Sequence, residues 1–125
     1  MILIPTIEYG GYFLLSSLID KESGYMTNAL RQNFFRAGHA HAGVIVILSL
    51  LCQLFTDAAN LSTRLQWFVR IGVPLSAMLI SAGFFFSMLP PTATAPNGAI
   101  YLIYTAVFLL GASLLTLGVG LLRAK

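Results

Sequence analysis

The sequence predicts an all-α fold: a polytopic membrane protein forming one four-transmembrane-helix bundle over residues 1–125. Three observations predict it. Of the 125 residues, 58% are hydrophobic and 9% are charged, against about a quarter charged in a soluble domain. The mean hydropathy is +0.85. The apolar residues gather in four runs, at 2–20, 37–56, 68–89 and 98–122, each near the ~20 residues a helix needs to cross ~30 Å of hydrocarbon. No ten-residue block alternates with period two, which argues against a membrane β-barrel. Runs so poor in charge supply no polar outer faces, which argues against a soluble bundle.

The first run, ILIPTIEYGGYFLLSSLID, holds Glu8 inside it and Asp20 at its end. It lacks a basic start and a small-x-small cleavage site, so it does not read as a signal peptide. Residues 21–36, KESGYMTNALRQNFFR, mix charge, amide and aromatic groups as an interfacial segment does. A short surface helix is expected there over 27–35. The second run carries no formal charge, and within it Gln53 is a candidate for an interhelical hydrogen bond. Residues 57–66 form a polar turn. The third run is uncharged over 71–89. Pro74 inside it lacks an amide donor, so a kink and a freed carbonyl one turn earlier are expected. Residues 90–96, PPTATAP, hold three prolines and cannot continue a helix. In the fourth run, Ala112, Thr116 and Gly120 form a small-residue stripe that predicts close helix packing. The one cysteine, Cys52, excludes an internal disulfide and reads as an apolar filler.

Seven basic and four acidic side chains leave a net charge of +3. That is too sparse to track a phosphate backbone, so no nucleic-acid partner is expected. The expected surroundings are the lipid bilayer. Four crossings put both termini on one side. Arg64, Arg70, Arg123 and Lys125 fall on that side, and Lys21, Arg31 and Arg36 on the other. Asp20 and Glu22 dilute the smaller set, which favours cytoplasmic termini.

A titratable group inside a membrane is a candidate for function, because burying it is costly. Glu8, His39 and His41 are the three here. The sharpest local signal is Arg36-Ala37-Gly38-His39-Ala40-His41-Ala42-Gly43. Residues two apart on an α-helix point about 200° from one another, so the histidines cannot clasp one ion from the same side. A two-histidine zinc grip needs spacing i, i+4, which is missing. Small residues, Gly38 and Gly43 among them, let a flat group approach the backbone. Haem is such a group, and one imidazole is its usual ligand. His41 is then the candidate iron ligand, with His39 beside it and Arg36 placed to meet a propionate. Ordinary packing also accounts for the pattern, with the histidines as interhelical hydrogen-bond formers. Phe84 and Phe85, just before the prolines, and Tyr101 and Tyr104, just after them, fall in the same leaflet and are candidates for a substrate pocket. Glu8 is expected to be protonated or paired with Arg70.

The tract His39-Ala40-His41-Ala42-Gly43, with Ala82-Gly83-Phe84-Phe85 in the third run, resembles a group of four-span bacterial membrane proteins. These are the haem-b isomerases of the styrene oxide isomerase and hydroxylaminobenzene mutase type. The chain also resembles short actinobacterial membrane proteins of no known activity. The first resemblance implies residence in the bacterial cytoplasmic membrane and a homotrimer with haem b between subunits. It also implies His41 as axial ligand and a small lipophilic substrate whose oxygen meets the iron as a Lewis acid. The chain departs from the pattern in three places. The family's asparagine falls near Ile47, its catalytic tyrosine at Phe85 and its third-span aspartate near Ala77. Three functions therefore stay open. They are a haem-binding, isomerase-like or redox enzyme, an accessory subunit of a larger membrane complex, and an oligomer conducting protons or a small solute past Glu8.

Overall fold

A computed structural model describes residues 3–124. Met1, Ile2 and Lys125 lie outside the described residues, and with them one end of the 2–20 run and one charge in the orientation argument. The described chain is helical, with no strand. Four helices follow in order: α1 (Ile4–Ile19), α2 (Ala29–Ala58), α3 (Thr63–Ser87) and α4 (Tyr101–Leu122). Short 3₁₀ turns at Lys21–Ser23 and Gly98–Ile100 precede α2 and α4.

Three of these, α2, α3 and α4 with its leading turn, are long and apolar enough to cross a membrane. The first helix has 16 residues, about 24 Å at 1.5 Å per residue, and falls short of the expected span. Pro5 opens it, and the backbone of Asp20 turns extended to close it. The second helix is longer than expected, at 30 residues or about 45 Å. The surface helix expected over 27–35 is its first turns. The Asn28 side chain caps it by accepting from the Arg31 amide at 3.0 Å, and no proline interrupts the way to the histidines.

The middle of the bundle is α3, flanked by antiparallel α2 and α4. Lipid gives helices no hydrophobic reason to associate, so contact rests on fit and on small residues. A Cβ added to Gly83 would lie 2.6 Å from the Ile103 side chain and 3.1 Å from its backbone nitrogen. Gly72 lies against Ser113 in the same way. Eleven residues along α3 are thus matched by ten back along α4, an unbroken antiparallel register. Val69, Val73, Ala77 and Ile80 form the buried stripe of α3. Gly120, in the stripe of small residues on α4, receives Leu61 from the α2–α3 turn, and its carbonyl accepts from the Asn60 amide at 3.0 Å.

Pro74 lies within α3 without ending it. It has no N–H to give the Arg70 carbonyl, and Gln53 of α2 donates its amide to that carbonyl at 2.9 Å. The two expectations from sequence meet in one hydrogen bond. Arg70 itself pairs with Asp57 and not with Glu8, which is exposed on α1.

At the opposite end the two longer loops are joined by Arg31. Its guanidinium lies 4.7 Å from the centre of the Phe35 ring. It donates to Met88 O at 3.1 Å, Leu89 O at 3.1 Å and Ser23 O at 3.2 Å. Two of these acceptors are carbonyls left open where α3 ends, a place that favours a cation. Gly24, at φ +65°, makes the left-handed turn that brings this loop onto Pro91.

Replacing Gln53 with Leu is expected to destabilise the bundle by about 0.5–2 kcal/mol, the range for interhelical hydrogen bonds in membranes. In a Pro74→Ala background the new amide answers Arg70, and Gln53→Leu is expected to cost little. A double-mutant cycle on unfolding in detergent measures that coupling.

Candidate functional site

The histidine tract is in the third and fourth turns of α2, and its spacing divides it. His39 points at α1, where Gly10 and Gly11 make room. Cβ atoms added there would stand 3.4 Å from the imidazole. His41 points away from α1 and is exposed on the far side of the α2–α3 contact. Its ring lies on Phe84 of α3, with centroids 5.2 Å apart and planes 30° apart. Its Nδ1 is 2.7 Å from Ala37 O. A carbonyl can only accept, so Nδ1 carries the proton, and in the neutral ring Nε2 holds the lone pair.

The other tract residues separate similarly. Gly38 is buried beneath α3, and a Cβ there would be 3.0 Å from the Phe84 Cβ and from the Phe85 ring. Nothing lies within 4 Å of the same position at Gly43. Arg36 is exposed and donates to Gln32 Oε1 at 3.3 Å. Five residues of helix put Arg36 about 140° around from His41, so the two do not share a face.

The aromatic residues expected in one pocket fall in three places. Phe84 meets His41 and Phe34. Phe85 joins a cluster with Phe13 and Phe35, at centroid distances of 6.2 and 5.0 Å. Tyr101 and Tyr104 stack edge to face on each other at 5.9 Å and are exposed on α4.

A cleft of about 430 Å³ opens between α1 and α3, floored by α2. Backbone contact joins α1 to α2 but not to α3. Phe13 meets Phe85 at the loop end, and below them the helices stand apart. His39 and Ala42 are on the floor, Gly10 on one wall, and Ser81, Phe85 and Phe86 on the other. Of the residues singled out from sequence for binding, the cleft takes His39 and Phe85. Ser81 and the Gly10-Gly11 pair were missed. Adjacent glycines in an apolar helix do signal close approach of another group, but not which one.

Among the described residues, no three His, Cys, Asp or Glu side chains gather where they could share a metal ion. A haem iron asks for less, one imidazole with a presentable nitrogen. His41 fits that demand: Nδ1 is held, as the second nitrogen of a ligating histidine usually is, and the ring is exposed. One chain has no slot for the porphyrin around it, since Gly38 is filled by α3 and Arg36 faces elsewhere.

No protein-family model, curated protein or solved structure matches the chain.

Adding a methyl group at Gly38 is expected to force α2 from α3 and destabilise by about 1–3 kcal/mol, as overpacking does. Gly43→Ala meets open space and is expected to be neutral or slightly stabilising. Thermal unfolding of the two variants in detergent makes the comparison.

Proposed function

We propose that the chain is a haem-b protein of the bacterial cytoplasmic membrane, with His41 as the iron ligand. The observation that supports this reading is the state of one imidazole. Its Nδ1 donates to Ala37 O at 2.7 Å, which leaves Nε2 as the nitrogen with a lone pair on an exposed ring. Phe84 fixes the plane of that ring from below. In this reading α1, 16 residues long, is the fourth crossing, and both termini are cytoplasmic.

The haem belongs between copies of the chain, because one copy offers a ligand and no slot. His41 of one subunit would hold the iron, and Arg36 of the next would meet a propionate. This is the homotrimer that the resemblance implies. Bound haem would supply an iron able to polarise an oxygen substituent on a small lipophilic substrate, as in an isomerase-like reaction, or to pass an electron. Phe84 backs the exposed His41 ring in this arrangement. Phe85, where the resembled family has its catalytic tyrosine, has no proton to give. The chemistry is therefore expected to differ from that family's epoxide isomerisation.

The absorption spectrum of the protein purified with haem is the test. A Soret band that is lost in His41→Ala and kept in His39→Ala is expected. A colourless wild type after haem reconstitution, or a band indifferent to His41, overturns the proposal. Stoichiometric co-purification with other membrane subunits, and a double histidine variant that keeps full stability, favour an accessory subunit.

A further inference from the structure

We propose that the cleft between α1 and α3 is a binding site for a small apolar molecule carrying one hydrogen-bonding oxygen, drawn from the lipid phase. It lies across α2 from His41 and does not depend on haem.

The cavity, about 430 Å³, is within the usual range for small-ligand sites. Its walls are almost wholly apolar, and its polar groups are few. Thr6 is engaged, donating to Leu3 O at 2.7 Å. Two groups remain. No hydrogen bond engages the His39 ring among the described residues, and the ring lies against Gly10 and Gly11 of α1. Ser81 is the second. A serine inside a helix ordinarily returns its hydroxyl to a carbonyl one turn back. Ser76 does so to Gly72 at 2.7 Å and Ser17 to Phe13 at 2.8 Å. The Ser81 hydroxyl is buried with no partner, so turning it into the cleft breaks nothing. An unpaired buried hydroxyl is costly, and a ligand that answers it recovers that cost.

The placement of the two groups sets the ligand's orientation. Antiparallel pairing puts Phe84 and Phe85 at the level of Gly38, and Ser81 is about one turn deeper along α3. His39 thus belongs to the half of the cleft nearer the long loops, and Ser81 lies near its middle, one turn from Ala77 and Met78. The far half, by Leu3, Val46 and Met78, has no polar side chain besides Thr6, whose hydroxyl donates to Leu3 O. An oxygen that both accepts and donates fits the first half, and a ring or short chain fits the second. An imidazole and a hydroxyl each exchange donor and acceptor roles, so an alcohol or phenol is the best match.

Equilibrium dialysis of the full chain in nanodiscs, against empty nanodiscs, tests the site with 2-naphthol and its hydroxyl-free counterpart 2-methylnaphthalene. The expected result is binding of 2-naphthol about tenfold tighter than 2-methylnaphthalene, the equivalent of one net hydrogen bond. Ser81→Ala and His39→Leu are each expected to reduce that preference, and Ala42→Leu to exclude both probes. Ser81→Ala removes no hydrogen bond of the protein, so its melting temperature is expected to stay or rise, which separates ligand loss from unfolding. Three results overturn the proposal: no saturable binding of either probe, equal affinities that Ser81→Ala leaves unchanged, or a co-purifying lipid chain that neither probe displaces from the cleft.

Discussion

Inside hydrocarbon there is no water to fill a gap or to answer a carbonyl, and that places the burden of this fold on α3. Gly83 admits Ile103 from α4, and Gly38 of α2 admits Phe84 and Phe85. Each of these close contacts has a glycine on one side. The same helix carries the proline that breaks the backbone pattern, and α2 supplies the missing donor from Gln53. Register, packing and hydrogen bonding on α3 are therefore one constraint. A shift of a single residue along α2 would misplace Gln53 and seat a methyl group where only Gly38 fits. Specificity here comes from the loss of alternatives more than from the strength of any one contact.

The same geometry explains why two histidines with one residue between them have different surroundings. A helix turns about 200° over two residues, so α2 presents one imidazole to α1 and the other to the outside. Each is placed by a different device. Two glycines on α1 make room for His39, and a carbonyl one turn back with a phenylalanine from α3 orients His41. Divergence within one chain is what allows one molecule to offer both an interior cleft and an exterior imidazole.

Much of this was legible in the sequence, and the limits have physical causes. Length and hydropathy mark the helices because crossing distance is a one-dimensional quantity. Three of the four runs meet it, and α1, as far as it is described, closes where the backbone of Asp20 turns extended. The loop helix expected over 27–35 proved continuous with α2, since hydropathy changes there and helix propensity does not. Pro74 and Gln53 were each identifiable, but their pairing depends on the register of α2 against α3. The division of the histidines follows from helical periodicity alone. The cleft was not visible, because it depends on how far α1 leans from α3. The split of Phe84, Phe85, Tyr101 and Tyr104 likewise depends on helix rotation, which leaflet depth does not specify.

The length of α2 has a consequence for where chemistry meets the bilayer. Its 30 residues make a rod about 45 Å long, some 15 Å more than ~30 Å of hydrocarbon can cover. Tilt absorbs part of the excess, and the first turns, which hold Gln32 and the exposed Arg36, are the more polar end. In the proposed membrane placement the imidazoles stand where acyl chains give way to ester and glycerol oxygens. A greasy molecule with one hydrophilic end already floats at that depth with that end uppermost, so the bilayer itself would orient it before it touched the protein.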